Sequence, residues 1–421
     1  MGNSLTASTN QPNSLDVISL MTLLANKDAP VDQKRAAFER LQQEFAPQTH
    51  QTKAYSDELS RVFALRFDPW EQRPQDASTL SEVDLADRIR GCIFGAALGD
   101  AIGLCTEFMT QSQVEENYPP DFEFFPGCDV HPDSHRMMFP KGDWTDDTDQ
   151  MILILQSLLQ TGGRCNDQGS DFASQLVTWK DSGFSGLGDS GGAGLGQTTK
   201  KIILTDGFIN EPCTAARKVW EQSGKSLAPN GAVMRTAVTG VPFFWDSVIV
   251  DENTLAYCRV THADPRCAAS CVAISHCVSL LLRGIDDVNR ILSDALSHAE
   301  KHLNSHECID EFHRFASVSS LEQLELDEPH SIGYTFKCMG SGIWALRVVG
   351  DLGFSETLQQ IVRAGGDADT NGVVAGALAG ARLGYSRLPA AWLTGLPYAL
   401  WLEAWVQKVL FMLNLPVKPI E

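Results

Sequence analysis

The chain has 421 residues, 43% of them hydrophobic and 20% charged, enough to enclose a large apolar core and incompatible with global disorder. Its formal net charge of −20 argues against a nucleic-acid-binding or anionic-membrane surface, because phosphate contacts need clustered Lys and Arg. The 11 cysteines are an odd number with no CxxC pair and no zinc-type Cys/His spacing, so they read as small buried hydrophobes in a reducing compartment, without structural disulfides.

The opening Met1-Gly2-Asn3-Ser4-Leu5-Thr6 satisfies the loose M-G-x-x-x-[ST] pattern of N-myristoylation at Gly2, and a polar tail matching it by chance is the competing reading. Residues 1–14 are too polar to bury anything and are expected to form a disordered tail. Residues 15–80 are expected to be an N-terminal helical extension. Within it Leu15 to Asn26 and Val31 to Phe45 carry apolar residues at helical spacing, while Pro69 and Pro74 mark a linker near 67–80. No basic and apolar leader opens the chain, and no uninterrupted apolar stretch approaches the roughly 18 to 20 residues of a membrane span. A cytoplasmic protein without a transmembrane segment, and a monomer, is expected.

Residues 81–421 read as one large domain. Apolar-periodic segments recur near 87–105, 145–161, 212–222, 266–283, 285–303, 339–349, 355–364, 370–384 and 390–413, separated by loops bearing Gly and Pro. Alternating strand patterns are almost absent, so the expected fold class is all-α. Two of these helices carry glycine at every fourth position, Gly91, Gly95, Gly99 and Gly103 in one and Gly372, Gly376, Gly380 and Gly384 in the other. A helical glycine costs about 1 kcal/mol relative to alanine, so such ladders point to backbones in close contact. Membrane GxxxG packing does not fit, because Asp100 and Arg382 interrupt segments that are already too short.

The most informative run is Gly142-Asp143-Trp144-Thr145-Asp146-Asp147-Thr148-Asp149-Gln150, directly ahead of an apolar helix. Capping and the helix dipole ordinarily explain acids in a first turn. Three carboxylates in four residues nevertheless repel one another more strongly as water is excluded, and a fixed cation is the simplest compensation. Gly365-Gly366-Asp367-Ala368-Asp369-Thr370-Asn371-Gly372 repeats the design before the second laddered helix, where Thr370 either caps the helix or offers its hydroxyl to a metal. Oxygen-only ligands favour Mg²⁺ or Mn²⁺ over zinc. Glu107, ending Gly99-Asp100-Ala101-Ile102-Gly103-Leu104-Cys105-Thr106-Glu107, reads as a further ligand, a proton acceptor or a solvated surface acid. The glycine-rich stretch 183–199 reads either as a diphosphate-facing loop or as a flexible surface loop.

Together with Asn230-Gly231-Ala232-Val233-Met234-Arg235 and Thr261-His262-Ala263-Asp264-Pro265-Arg266, these segments closely resemble the ADP-ribosylglycohydrolase family over roughly residues 87–400. The resemblance implies a compact orthogonal helical bundle with two Mg²⁺ or Mn²⁺ ions in a central cleft. It makes Thr145, Asp146, Asp147, Asp367, Asp369 and Thr370 the metal ligands, and Glu107, Asp146 and Asp367 the catalytic acids. Asn230 and Gly231 would line the pocket near the diphosphate and ribose, and His262 would sit on the nucleotide side. A lone histidine beside Asp264 and Pro265 would otherwise read as loop-stabilising. Gly194 and Gly196 match the family's D-I-G-x-T segment, but Gly194 stands where arginine-directed members carry an acid, so a guanidinium leaving group is not implied. Tyr334 fits a further position near the substrate.

The implied activity is hydrolysis of the bond between ADP-ribose and a modified protein side chain or related conjugate. Two alternatives remain open on the residues alone: a catalytically inactive ADP-ribose-binding or structural homologue, and a metal-dependent phosphatase acting at the diphosphate.

Overall fold

A computed structural model describes residues 61, 62, 64, 65, 70–165 and 169–416. The tail expected over 1–14, the helices expected between 15 and 45, and Pro69 lie outside the described residues.

Regular structure among the described residues is helical, with no strand and a single isolated backbone bridge between Pro229 and Tyr334. In chain order the helices are α1 (Glu82–Gly103), α2 (Gln111–Asn117), α3 (Asp146–Gln160), α4 (Ser170–Ser182), α5 (Gln197–Ile203), α6 (Pro212–Gln222), α7 (Val233–Thr236), α8 (Ser247–Arg259), α9 (Pro265–Leu282), α10 (Val288–Ala299), α11 (His306–Ala316), α12 (Thr335–Arg363), α13 (Ala368–Leu383), α14 (Ala390–Gly395) and α15 (Ala399–Met412).

The two glycine-laddered segments are α1 and α13, which form the most extensively packed pair in the fold. A methyl group built on Gly91, Gly95 or Gly99 would stand 2.2, 2.2 or 1.9 Å from the carbonyl oxygen of Gly380, Gly376 or Gly372, and one on Gly103 would reach Ala368 O at 2.3 Å. The helices therefore run antiparallel, backbone against backbone. The C-terminal end of α1 meets the N-terminal end of α13, which decides where the acidic residues at those two ends come to lie.

Around this pair pack α12, α9, α3 and α15. Helix α9 has the length and apolar composition of a membrane span, contrary to the expectation that no segment approaches one. Here it lies inside the bundle, with every residue from Cys267 to Leu282 buried. The segments expected at 339–349 and 355–364 are the two arms of α12, broken at Gly353 (φ 78°, ψ 170°). The segment expected at 390–413 divides into α14 and α15. Helices α4, α8 and α11, which the reading of long apolar segments passes over, are 13, 13 and 11 residues long and bury only part of their surface. Residues 70–80 are not a free linker: Trp70 is buried against Gly163, and Ser78 Oγ and Thr79 N donate to the carbonyls of Leu282 and Arg283 at 2.7 and 3.1 Å. No disulfide joins any of the 11 cysteines.

The ladder makes a stability prediction. Replacing Gly95 or Gly376 by Ala gains about 1 kcal/mol of helix propensity, yet forces apart backbones that leave only 2.2 and 2.0 Å for the new atom. Overpacking is expected to win with a net loss of about 1–3 kcal/mol in urea unfolding. Gly196→Ala, at φ −58° with nothing within 4 Å of the added methyl, is expected to stay within about 0.5 kcal/mol. Equal stability of all three variants would contradict the packing described.

Candidate active site

Beyond α1 the chain turns through residues 104–109, and just before α13 it passes Gly365 and Gly366. The two turns are tied together: Phe108 N donates to Gly366 O at 2.6 Å and Gly366 N to Met109 O at 2.7 Å. Gly365 and Gly366 hold φ values of 68° and 72°, and a methyl on them would meet Met109 O at 2.4 Å and Leu326 O at 2.0 Å, so both need glycine. As a result Glu107, Asp367 and Asp369 converge, with one carboxylate oxygen from each inside a 4.8 Å group.

Asp100 brings in the third element. Wholly buried in α1, it accepts from Thr145 N and Oγ1 at 3.0 and 2.9 Å on one oxygen, and from Thr148 N and Oγ1 at 2.9 and 2.6 Å on the other. These bonds hold the start of α3 against α1. Thr145, the N-cap, accepts from Asp147 N at 3.4 Å and places its hydroxyl 3.4 Å from Asp369 Oδ2. Asp146 and Asp147 thereby join the convergent set. Asp149 does not: its two oxygens accept from the indole nitrogens of Trp144 and Trp179 at 2.8 and 2.9 Å. Thr370 lies inside the first turn of α13 and is not its cap; that position is held by Asp367, which makes no side-chain capping bond.

Asp100, Glu107, Asp146, Asp147 and Asp369 are buried, and Asp367 is half-buried. Burial and then mutual repulsion raise Asp146, Asp147 and Asp369 above the ordinary carboxylate range. Two oxygens, Asp147 Oδ2 and Asp369 Oδ1, are buried without a hydrogen-bond partner, one on each side of the cluster. Two oxygens of the cluster thus lack donors, and the set offers hard oxygen ligands to a divalent cation. Glu107 is not a solvated surface acid. It is 6% exposed, and its Oε2 lies 2.5 Å from His135 Nε2. Burial pushes Glu107 up, the hydrogen bond to His135 pulls it back, and Glu107 in turn raises His135. The His135 ring sits between Phe108 and Phe139, with centroids at 5.0 and 5.8 Å.

Behind Asp146 runs a buried polar relay. Gln150 Nε2 donates to Asp146 Oδ2, Arg235 Nη1 donates to Gln150 Oε1 at 2.5 Å, and Arg235 Nη2 donates to Thr261 Oγ1 at 2.6 Å. Thr261 Oγ1 lies 2.8 Å from His262 Nδ1. Burial, with Arg235 nearby, holds His262 well below the ordinary histidine range, so its ring is neutral. Thr261 Oγ1 thus joins Arg235 to His262 Nδ1, and the other ring nitrogen, Nε2, is a buried atom without a partner. His262 therefore ends a relay instead of bracing its loop, and Asp264 does the bracing by capping α9 and accepting from Trp220 Nε1 at 2.8 Å.

The remaining expected residues fall in two places. Asn230 Nδ2 donates to Asp367 Oδ2 at 2.8 Å, and Asn230 N donates to Gly333 O at 2.9 Å; Gly231 faces His262, whose Nε2 would stand 3.1 Å from an added methyl. Gly194 passes over Asp146, whose Oδ1 would stand only 2.6 Å from an added methyl, and nothing lies within 4 Å of one added at Gly196, which caps α5. Tyr334 pairs its backbone with Pro229, but its hydroxyl is spent on Glu311 Oε2 at 3.1 Å and its ring packs with Phe315 and Phe336. Asp100, His135, Gln150 and Arg235 were not singled out from sequence. For Asp100 the signal was present, a lone acid inside a glycine-laddered apolar helix.

The profile of the family described as ADP-ribosylglycohydrolase matches residues 81–416. An ADP-ribosyl-[dinitrogen reductase] glycohydrolase of Rhodospirillum rubrum is 26% identical over 317 residues, covering 74% of this chain and 90% of its own. The ADP-ribosylhydrolase ARH3 of Mus musculus is 26% identical over 345 residues, covering 72% and 86%. Among solved structures, one titled ADP-ribosylglycohydrolase-related protein complex shares the fold, with a TM-score of 0.52 at 22% identity over 79% of this chain and 99% of its own.

The carboxylate cluster makes stability depend on pH and on cations. Burial, then repulsion from Asp100 and Glu107, raises Asp146 from 3.8 to about 8; burial also raises Asp143 from 3.8 to about 8. Between those values the folded chain holds more protons than the unfolded one, so its stability falls as pH rises through the window. In chelator the thermal midpoint is expected to drop from about pH 5 to about pH 8, and Mg²⁺ or Mn²⁺ to restore it most at the upper end. A midpoint that rises with pH in chelator, or ignores cations at pH 8, would contradict the cluster's electrostatics.

Proposed function

The chain belongs to the ADP-ribosylglycohydrolase family, whose activity is hydrolysis of ADP-ribose linkages, and we propose that its acidic cleft is a divalent-cation-dependent active site cleaving ADP-ribose from a modified protein side chain or related conjugate. The observation that carries this reading is the pair of partnerless buried oxygens, Asp147 Oδ2 and Asp369 Oδ1, in a cluster of six carboxylates. Thr145, Asp146, Asp147, Asp367, Asp369 and Thr370 would hold two ions, and their oxygen-only donor set favours Mg²⁺ or Mn²⁺. When bound, such ions supply Lewis-acid polarisation and charge neutralisation at the reacting sugar.

The chain's own residues do the rest. Glu107, steadied through Oε2 by His135 Nε2 at 2.5 Å, would take the proton of the attacking water, and the departing group would take up a proton in exchange. Retained carboxylate charge around the sugar favours the oxocarbenium-like state through which the glycosidic bond breaks. Asn230 orients Asp367 by its 2.8 Å bond, and the neutral His262 would offer its partnerless Nε2 to the nucleotide end of the substrate. A methyl added at position 194 would stand 2.6 Å from Asp146 Oδ1 and would displace that carboxylate. Gly194, at φ 89°, thus presents no acid to a guanidinium, which favours an oxygen-linked conjugate over ADP-ribosylarginine.

Peptides ADP-ribosylated on serine or on arginine, and O-acetyl-ADP-ribose, assayed with Mg²⁺, Mn²⁺ or chelator, test this reading. Release of free ADP-ribose is expected only with a divalent cation, and faster from oxygen-linked substrates. Asp146→Ala and Asp367→Ala should each reduce it at least about 100-fold without unfolding the chain, since each removes one of several repelling acids. Undiminished hydrolysis by both variants would overturn the assignment. AMP as the product would indicate diphosphate cleavage, and tight ADP-ribose binding without turnover would indicate the inactive homologue.

A further inference from the structure

A second convergence of metal-type donors lies outside the acidic cleft, where α8, α9 and the end of α10 meet. Asp251 on α8, His276 on α9 and His298 in the last turn of α10 each bring one ligand atom inside a 4.8 Å group. His276 is eleven residues along α9 from Pro265, which puts it about 16 Å along the axis from the end that follows His262. None of the three takes part in the machinery assigned to the cleft.

Both imidazoles address the same carboxylate, His276 Nε2 at 2.5 Å from Asp251 Oδ1 and His298 Nδ1 at 3.4 Å from Asp251 Oδ2. The rings stack with centroids 4.3 Å apart and planes 20° off parallel, so two imidazolium charges would face each other there, and one ring turns when both nitrogens ligate one ion. The longer separation suits two ligands on one ion, because ligands held 2.0–2.1 Å from a tetrahedral centre lie about 3.3 Å apart. The shorter one would open by rotation of the Asp251 carboxylate as the ion entered. A further imidazole stands alongside: His302, four residues beyond His298, has a buried Nε2 with no hydrogen-bond partner. Asp251 and His276 are both near enough to act on its charge.

We propose that Asp251, His276 and His298 form a site for a divalent transition metal of the zinc class, with His302 the neighbouring donor for the fourth position. Imidazole nitrogens select Zn²⁺ and its neighbours over Mg²⁺, so this site and the oxygen-lined cleft would take different ions. Asp251, His276 and His298 come from α8, α9 and α10, and closing the site would clamp the end of α10 to α8 and α9. Its role would be structural. The inference does not rest on the reading of the cleft.

The test uses the full chain carrying Asp146→Asn and Asp367→Asn, which weakens the cleft's hold on cations, and Co²⁺ as a spectroscopic stand-in for Zn²⁺. One equivalent of Co²⁺ is expected to bind with the intense visible absorption of a tetrahedral site, to be displaced by Zn²⁺ and not by Mg²⁺, and to raise the thermal midpoint. Adding His298→Ala, a half-buried position whose loss leaves the core intact, should weaken binding at least about tenfold and abolish the band. His276→Gln, which keeps a hydrogen-bonding side chain beside Asp251, should do the same while the helical circular dichroism stays unchanged. Absence of a tetrahedral band in the parent, or the same band and affinity in both histidine variants, would overturn the proposal.

Discussion

The fold is organised by one close approach, that of α1 to α13. Side chains ordinarily hold packed helices 8–10 Å apart, and here glycine at each contact removes them, with Gly91, Gly95 and Gly99 meeting the carbonyls of Gly380, Gly376 and Gly372. Each glycine costs helix propensity, about 1 kcal/mol relative to alanine. What the contact secures is register. Fixing Gly103 against Ala368 and Asp369 leaves Glu107 and Asp367 nowhere to go except toward each other.

Upon that register the remaining acids are arranged by ordinary hydrogen-bond economy. Asp100 looks like one more member of the cluster, yet its oxygens are filled by Thr145 and Thr148, so it serves as the pin that brings α3 in. Asp149 is filled by two indoles in the same manner. Asp147 and Asp369 each keep an empty buried oxygen. The contrast separates structural acids from those free to take a cation, and it comes from counting donors, since Asp100, Asp147 and Asp369 are equally buried and Asp149 is half-buried. The relay through Gln150, Arg235 and Thr261 links Asp146 to His262 at the other end of the site, with a buried guanidinium that burial lowers to about 10.

Much of this was legible in the sequence. The all-helical fold, the glycine ladders and the two acidic helix starts follow from spacing alone, because helical period and residue type are local properties. The sequence segments Asn230 to Arg235 and Thr261 to Arg266 stood out by resemblance, and the Arg235–Thr261 bond supplies a physical reason for their pairing. Other features were not legible. His135 lies in an irregular loop, and nothing local indicates that its ring reaches Glu107, 28 positions earlier. Which acids of the run 146–149 face the cluster depends on Trp179, a residue of another helix. Tyr334 was expected beside the substrate; its backbone helps place Gly333 against Asp367, while its hydroxyl is turned to Glu311, an orientation set by contacts remote in sequence. Asp251, His276 and His298 lie 25 and 22 positions apart, with no spacing that marks them as a group.

Acids of α3 and α13, held in register by α1, would meet around a common pair of divalent ions. Anomalous scattering at the manganese edge from crystals of the full chain loaded with Mn²⁺ tests this most directly. The expected map has two adjacent peaks between Asp146 and Asp147 on one side and Asp367 and Asp369 on the other. Manganese bound only elsewhere, or a cleft without any anomalous peak at saturating Mn²⁺, would contradict the account.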